Sequence, residues 1–326
     1  FTTAMTGYLE TLTDPSYYGQ IVTQTFPLIG NYGVIPEDFE SDKVALKGYI
    51  VGEWCQEPSN FRSEGTLDTF LKSKGIVGVS GIDTRALTKL IREKGTMNAK
   101  IVYSESDIPA GVEAAKKHHI SDAVRNASIS ETVTYEPEQE QRHVVLWDFG
   151  AKRNIVRELV KRGCKVTCVP SDTTAEEIKA LRPDGIMLSN GPGDPADNPG
   201  IIEELKKLCE EKLPTFGICM GHQLLALSQG ASSHKLHYGH RGENQPAKDL
   251  ETGRVYITSQ NHGYALDSST LPSTAKLRFV NANDDTCEGV DYLNMPAFTV
   301  QFHPEGAGGP MDTEFLFDRF IDMIGK

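Results

Sequence analysis

The strongest constraint on the fold is a cysteine between two glycines at a predicted junction of strand and helix. Residues 213–218 are short and apolar, which is typical of a buried strand, and leucines from Leu224 onward indicate a helix face. Cys219 lies between them, two residues from both Gly217 and Gly221. So tight a turn leaves no room for flanking side chains, and a helix N-terminus stabilises a thiolate. The pattern predicts a nucleophile elbow, although a buried structural cysteine beside packing glycines is the plainer alternative.

Strands and helices are predicted to alternate regularly around this elbow. The predicted strands are 143–147, 165–169, 185–188 and 214–218, and the predicted helices are 152–162, 175–181, 200–212 and the segment after Cys219. Right-handed crossovers then give a parallel sheet with helices on both faces. Ligands bind such sheets at the carboxyl ends of the strands, where Cys219 and the loop 189–195 both fall. Segments 255–258 and 297–301 add strands, and 313–324 a final helix.

The chain is predicted to contain two domains. Its 326 residues suffice for two cores of ordinary size. The first part predicts a strand within 19–26 and helices capped by Thr66 and Asp83. Residues 128–142 then lose apolar periodicity and gain Glu, Gln and a proline. We therefore predict an α/β protein in which a smaller mixed α/β N-terminal domain (1–140) precedes a domain with a parallel-rich sheet flanked by helices (141–326).

Charge and cysteine content exclude several classes of partner. The net charge is −12 without a local basic stripe, so neither nucleic acid nor an anionic membrane is expected as the partner. No run of about 18 apolar residues is present to span a bilayer. The six cysteines have no CxxC pair or zinc spacing, so we expect no metal, and reduced thiols in the cytoplasm. Phe1 is not an initiator methionine, and a trimmed start is expected.

A histidine and a glutamate that could complete the chemistry follow a later strand. A cysteine nucleophile needs a base, and His303 stands at the end of the strand that Pro304 stops. The i, i+2 spacing lets Glu305 orient the imidazole. Taken alone, His-x-Glu is more often a surface dipeptide. Together with the elbow, it predicts a triad of Cys219, His303 and Glu305, with the Met220 amide and one amide of Gly191–Gly193 as oxyanion donors.

Several motifs are similar to those of a known family. The chain resembles the class I glutamine amidotransferases at 217–223 (GICMGHQ), 189–195 (SNGPGDP), 259–264 (SQNHGY) and 301–305 (QFHPE). More narrowly, it resembles the small subunits of carbamoyl phosphate synthetases at 1–8 (FTTAMTGY), 13–17 (TDPSY), 81–85 (GIDTR) and 148–154 (DFGAKRN). These motifs are long, occur in order and extend over nearly the whole chain, so a chance match is not expected.

The resemblance implies a glutaminase that works with a synthetase. Cys219 would attack the side-chain amide of L-glutamine, form a γ-glutamyl thioester and release ammonia, with His303 as acid and base and Glu305 as its orienter. The glutamine pocket and oxyanion hole would comprise Ser16, Gly191, Gly193, Met220, Gln223, Asn261, Gly263 and Tyr264. Ammonia would pass to a large subunit that uses ATP, Mg and bicarbonate to make carbamoyl phosphate for arginine and pyrimidine synthesis. This chain would hold no cofactor, and it has no G-x-x-x-x-G-K-[ST] loop.

Two alternatives remain at this point. A cysteine peptidase or γ-glutamyl hydrolase shares the elbow but does not need the domain that contributes Ser16. The second alternative is an interaction subunit whose glutaminase has decayed. The glycine-rich run 306–311 (GAGGPM) replaces the family's more usual Ala-Ser-Pro-Gly-Pro-His. This run is expected to loosen the triad, so the second alternative stays open. Met220 and Tyr264 stand where the family often has Leu and Phe, and these changes should be tolerated.

Other histidines and cysteines have plainer interpretations. His222 is expected to pack or cap its helix. His234, His237 and His240 recur every three residues but have no supporting carboxylate cluster in the sequence, so a metal there is the minority interpretation. Cys164 and Cys168 are expected to be buried thiols.

Overall fold

The computed structural model describes residues 1–325. This part of the chain contains fifteen strands and ten α-helices. The strands are β1 Ile21–Thr23, β2 Leu28–Ile29, β3 Gly48–Ile50, β4 Glu53–Trp54, β5 Val77–Val79, β6 Val133–Tyr135, β7 Arg142–Trp147, β8 Cys164–Val169, β9 Gly185–Leu188, β10 Thr215–Ile218, β11 Ser233–Asp249, β12 Val255–Leu266, β13 Ala275–Asn281, β14 Cys287–Tyr292 and β15 Ala297–Val300. The helices are α1 Tyr8–Thr13, α2 Leu67–Ser73, α3 Thr84–Lys94, α4 Ile108–Lys117, α5 Ala123–Ala127, α6 Arg153–Lys161, α7 Ala175–Ala180, α8 Pro199–Glu210, α9 Met220–Ser228 and α10 Phe315–Ile324.

A ten-stranded sheet forms the larger part of the fold. Its strand order is β12-β11-β13-β14-β15-β10-β9-β7-β8-β6. The five central strands, from β15 to β8, are parallel, and the strands on either side of them are antiparallel. The α/β fold with a parallel-rich sheet is thus confirmed, and β9 matches its predicted bounds. Cys219 directly follows β10, which lies within the parallel group. Cys219 therefore lies at the edge formed by the carboxyl ends of the parallel strands, where ligands bind in such sheets.

Helices cover both faces of this sheet. On one face α7, α8 and α9 bury Ile178, Leu205 and Leu224 in an apolar cluster with β7 and β9. On the other face α6 and α10 bury Leu159 and Phe320 against β8 and β10. Burial on both faces explains why the central strands are predominantly apolar and do not alternate strictly between apolar and polar residues.

The first part of the chain has its own core and smaller sheets. Strands β1, β3 and β5 form a parallel sheet, β2 pairs with β4, and the core includes Leu12, Tyr49 and Phe70. The predicted helix caps are confirmed, since Thr66 accepts a hydrogen bond from the Thr69 amide and Asp83 one from the Ala86 amide. Strand β6 pairs with β8 although it precedes residue 140, and the boundary near that residue stays a prediction.

No helix within residues 1–325 is both long and apolar enough to cross a membrane.

Candidate active site

The turn at Cys219 has the strained geometry of a nucleophile elbow. The backbone of Cys219 has a φ of 50° and a ψ of −98°, a conformation that residues other than glycine rarely adopt. A Cβ atom on Gly221 would lie 2.4 Å from the Leu188 carbonyl oxygen, and one on Gly217 would lie 2.9 Å from Cγ2 of Thr299. Both flanking positions therefore require glycine, as the sequence pattern predicted.

Two backbone hydrogen bonds fix the turn to neighbouring strands. The Cys219 amide donates to the Val300 carbonyl at 2.8 Å, and the Gly221 amide donates to the Ser189 carbonyl at 2.9 Å. Met220 is the first residue of α9, so its amide has no partner within the helix and is available to an oxyanion. The nucleophile thus lies between the end of β15 and the loop that follows β9.

His303 and Glu305 form a buried pair beside this turn. Nδ1 of His303 lies 2.6 Å from Oε1 of Glu305, and both side chains are 0% exposed. The backbone amide of His303 donates to the Ser259 carbonyl at 2.9 Å, which fixes the backbone of His303 against β12. Nε2 of His303 is buried and has no hydrogen-bond partner. The imidazole is therefore held at one nitrogen and free for proton transfer at the other.

The charges of this pair favour an imidazolium. Burial and the charge of Lys152 lower the pKa of His303, but the Glu305 carboxylate and the Cys219 sulfur outweigh them and raise it to about 9. Burial alone would raise the pKa of Glu305, yet the positive charges of His303 and Lys152 lower it to about 2. At neutral pH the pair is therefore an imidazolium and a carboxylate, with the Cys219 sulfur beside the imidazolium.

The buried side chain of Lys152 contacts the triad at Glu305. The sequence analysis assigned this lysine no role. Nζ of Lys152 lies 3.5 Å from Oε1 of Glu305 and 3.9 Å from Oδ2 of Asp14. Burial opposes its charge, but the carboxylates of Asp14, Glu305 and Glu40 together raise the pKa of Lys152 above its usual value. Two of these carboxylates come from the first part of the chain. The only sequence signal was the lysine in the motif DFGAKRN.

A chain of amides links Cys219 to β12. Nε2 of Gln301 lies 3.5 Å from the Cys219 sulfur, and Oε1 of Gln301 accepts a hydrogen bond from Nε2 of Gln223 at 2.8 Å. Nε2 of Gln223 also donates to the Tyr264 carbonyl at 2.7 Å. Gln223 and the backbone of Tyr264 are thus linked to the nucleophile through Gln301, which the sequence analysis had only quoted within a motif. The assignment of Gln223 and Tyr264 to the glutamine pocket stays a prediction.

Ser16 reaches the loop after β9 from the first part of the chain. Nδ2 of Asn190 donates to the Ser16 hydroxyl at 2.8 Å, and both residues are buried. In the same loop, a Cβ atom on Gly191 would lie 2.4 Å from the Phe149 carbonyl oxygen, and Gly193 has a φ of +91°. Ser16 therefore contacts the loop that contains Gly191 and Gly193, although no sequence spacing connects it to that loop.

Asn261 and Gly263 lie on β12, across from β11. Nη1 of Arg241 on β11 donates to Oδ1 of Asn261 at 2.8 Å, whereas Nδ2 of Asn261 is buried without a partner. A Cβ atom on Gly263 would lie 3.4 Å from Nη2 of Arg241. Arg241 was not predicted as a site residue. Its signal, an arginine in the β11 strand paired with β12, is visible only in the folded sheet.

Three buried histidines outside the triad have structural partners. Nδ1 of His222 lies 2.8 Å from the Thr299 hydroxyl, and burial lowers the pKa of His222 to about 3, so it packs as expected. The ligand atoms of His240, His262 and Glu288 lie within 4.8 Å of one another. However, both His262 nitrogens bond to protein oxygens, and His240 bonds to Asp284 and to Glu288. These bonds account for the cluster without a metal ion.

The glycine-rich turn after Glu305 packs closely against the first part of the chain. The Thr6 hydroxyl donates to the Gly308 carbonyl at 3.1 Å, and a Cβ atom on Gly308 would lie 3.0 Å from Cα of Gly7. We expected this turn to loosen the triad. In the structure Glu305 is buried and bonds to His303, and the small residues allow the two backbones to approach. An effect of the turn on the reaction rate stays a prediction.

Comparisons with known proteins agree with this geometry. Residues 145–323 match the family model of class-I glutamine amidotransferases, and residues 1–101 match that of the CPSase domain of the carbamoyl-phosphate synthase small chain. A Thermoplasma acidophilum structure described as that of a candidate GMP synthase component is similar in fold, with a TM-score of 0.51 and 22% identity over 58% of this chain and 96% of that one. The fold and the elbow with its His–Glu pair define a class I glutamine amidotransferase.

Relatives that match nearly the whole chain identify the family within this class. The carbamoyl phosphate synthase small chain of Listeria monocytogenes is 50% identical over 99% of this chain and 89% of its own length. That of Fusobacterium nucleatum is 53% identical over 99% of this chain and 90% of its own length. The chain belongs to the carbamoyl phosphate synthase small chain family.

Proposed function

We propose that this chain hydrolyses L-glutamine to glutamate and ammonia and passes the ammonia to a large synthetase chain. The observation that carries the proposal is the buried His303–Glu305 pair beside the strained turn of Cys219. A thiolate with an adjacent imidazolium is the arrangement that attacks a carbonyl and then protonates an amine leaving group.

The reaction has two halves. The Cys219 thiolate attacks Cδ of glutamine, and the resulting oxyanion is bound by the Met220 amide and an amide of Gly191–Gly193. Collapse of this intermediate breaks the C–N bond while the His303 imidazolium gives its proton to the leaving ammonia. The neutral imidazole then takes a proton from water, the hydroxide attacks the γ-glutamyl thioester, and glutamate and the thiolate are released. Glu305 orients the ring and stabilises its charge throughout.

The first part of the chain belongs to the site in this proposal. Ser16 bonds to Asn190 beside the oxyanion loop, and Asp14 lies next to Lys152 behind Glu305. A peptidase or γ-glutamyl hydrolase on the same sheet has no need of these contacts. The paired and buried His303 and Glu305 likewise argue against a decayed glutaminase.

We further propose that the partner is the large chain of a carbamoyl phosphate synthase. The large chain would consume the ammonia together with bicarbonate and ATP, with Mg²⁺, and so supply carbamoyl phosphate for arginine and pyrimidine synthesis in the cytoplasm. This chain would need no cofactor, because the steps above use only its own side chains and amides.

The test is glutamate release from glutamine by the purified, reduced chain, alone and with a carbamoyl phosphate synthase large chain, ATP and bicarbonate. We expect slow release that rises strongly with the partner. Cys55→Ser is the matched control for thiol loss, since Cys55 is partly exposed and lies in the first part of the chain. Absence of release from the folded protein in both conditions would contradict the glutaminase assignment.

A further inference from the structure

Asn154 joins the first turn of α6 to the backbone of the triad. It is the second residue of that helix, and its Nδ2 donates to the backbone carbonyl of Glu305. Within residues 1–325, this is the only hydrogen bond that the Glu305 carbonyl accepts. The run 306–309 that follows Glu305 carries no side chain larger than a methyl group, so it offers little packing to fix this carbonyl. Asn154 is therefore the residue that fixes the backbone of Glu305 at this point.

Glu40, from the first part of the chain, holds Asn154 in place. Oε2 of Glu40 accepts a hydrogen bond from the Asn154 amide at 3.0 Å, and the Glu40 carbonyl accepts one from the Arg153 amide at 2.8 Å. Lys152, the N-cap residue of α6, makes no side-chain cap, and the first amides of a helix have no partner within it. Glu40 thus caps α6 from a distant part of the sequence.

This cap is costly, and it has a consequence for the triad. Glu40 is 2% exposed, and burial raises its pKa to about 7, although the Lys152 charge and the Asn154 amide oppose this rise. A serine or threonine at position 152 would cap the helix without burying a carboxylate. Because Glu40 supplies the cap instead, position 152 can be the lysine that contacts Glu305.

We propose that Asn154 is a positioning residue for the triad and that Glu40 holds it in place. The Thr13 hydroxyl accepts a hydrogen bond from the Glu40 amide at 2.9 Å, which fixes Glu40 within the first part of the chain. Asn154 then holds the Glu305 carbonyl, and the Glu305 carboxylate holds the ring of His303. The inference rests on the proposed function, because glutamine hydrolysis is the reaction that this positioning supports.

The first test measures glutamate release by Asn154→Ala. Without Nδ2 the backbone of Glu305 loses its bond, so the carboxylate should hold the imidazole of His303 less firmly. We expect kcat to fall about tenfold at neutral pH, because small displacements at a reacting centre are costly. KM for glutamine should change less than about threefold, since no contact with the substrate is removed.

The pH profile of the same variant separates positioning from general loosening. Burial and the Lys152 charge lower the pKa of His303, whereas the Glu305 carboxylate and the Cys219 sulfur raise it. A carboxylate that is held less firmly raises this pKa less. The alkaline limb of kcat should therefore move to lower pH in Asn154→Ala, though by less than in Glu305→Gln. A merely structural role of Asn154 would lower the folded fraction without moving this limb.

Conservative variants and a matched control complete the test. Asn154→Asp keeps the size but turns an acceptor toward the Glu305 carbonyl, so kcat should fall at least as far as in Asn154→Ala. Glu40→Gln keeps an oxygen that can accept from the Asn154 amide and should keep kcat within about threefold, whereas Glu40→Ala should approach Asn154→Ala. Asn98→Asp is the control, because Nδ2 of Asn98 also donates to a backbone carbonyl, that of His118 at 2.7 Å, and this exposed bond should not affect kcat.

The outcomes distinguish the inference from the proposed function. An unchanged kcat in folded Asn154→Ala, or a lower kcat with an alkaline limb that stays in place, would overturn the positioning role while leaving the glutaminase intact. Equal losses in Glu40→Gln and Glu40→Ala would overturn the part assigned to Glu40. If thermal unfolding shows that Asn154→Ala does not fold, the kcat of Asn154→Asp decides. A wild-type chain that hydrolyses no glutamine, alone or with the large chain, would overturn the proposed function and this inference with it.

Discussion

The two ends of the proposed glutamine pocket differ in how their charges are satisfied. At the reacting end the cations of His303 and Lys152 lie against the carboxylate of Glu305. At the recognition end Arg241 has only neutral partners, and Nδ2 of Asn261 has none. The protein thus pairs the charges of the reacting end by itself, whereas at the other end, among the described residues, Arg241 bonds only to neutral acceptors.

This difference separates catalysis from binding. A preorganised reacting end stabilises the transition state without rearrangement, so changes there should lower kcat. Changes to side chains that contact only the bound substrate should instead raise KM. Substitutions at the two ends should therefore differ in which kinetic constant they change.

The largest effect is expected from Cys219→Ser, which removes the nucleophile. Loss of a nucleophile costs up to about a millionfold in kcat in a comparable hydrolase, and we expect at least a thousandfold loss of glutamate release here. With the large chain present, synthesis from supplied ammonia should persist while synthesis from glutamine stops. Glutamine-dependent synthesis by the variant would show that the nucleophile is assigned wrongly.

Gly221→Ala should destabilise the reacting end through its scaffold. The new Cβ atom would lie 2.4 Å from the Leu188 carbonyl oxygen, which is backbone and cannot easily move. We expect a loss of about 3 kcal/mol in the free energy of unfolding, measured in urea. Gly200→Ala is the control, because this α8 position is open, and it should be neutral or slightly stabilising. Equal stability of the two variants would refute the steric argument.

Glu305→Gln should lower kcat and shift its dependence on pH. The carboxylate raises the pKa of His303, so the wild-type imidazolium persists until pH rises through about 9. Without that negative charge, burial and Lys152 lower the pKa, and the alkaline limb of kcat should move to lower pH. We expect roughly a ten- to hundredfold loss of kcat at neutral pH, with KM little changed. An alkaline limb that stays in place would mean that Glu305 does not set the charge of the ring.

The smallest effect is expected from Tyr264→Phe at the recognition end. Burial and then the nearby Asp194 carboxylate raise the pKa of Tyr264 to about 12, so the hydroxyl is neutral at working pH. It is the backbone carbonyl of Tyr264 that holds Gln223, and the substitution leaves this carbonyl unchanged. KM for glutamine should change less than about threefold. A larger rise would assign the hydroxyl a direct part in binding.

The sequence predicted the reacting end better than the recognition end. Cys219 and its glycines are adjacent in sequence, and His303 and Glu305 are two residues apart, so local pattern sufficed. Gly185–Leu188 was predicted to the residue because parallel strands buried on both faces are continuous apolar runs. By contrast, Lys152 contacts Asp14 and Glu305, and Arg241 contacts Asn261 on a paired strand. Such long-range contacts leave no spacing to detect.

The glycine-rich turn shows the same dependence on long-range contacts. From sequence, 306–311 is a flexible run that should weaken the support of Glu305. In the structure, Gly308 approaches Gly7 from the first part of the chain, so the absence of side chains permits close packing. The effect of a glycine thus depended on a partner about 300 residues away.

Intact-protein mass spectrometry of acid-quenched chain mixed with L-glutamine tests the central claim most directly. The account predicts a transient adduct with the mass of one γ-glutamyl group, located on the peptide that contains Cys219 and absent from Cys219→Ser. The γ-glutamyl adduct should also accumulate in Glu305→Gln if hydrolysis of the thioester becomes slower than its formation. Glutamate release without any adduct on Cys219, or an equal adduct in Cys219→Ser, would contradict hydrolysis through a thioester at this residue.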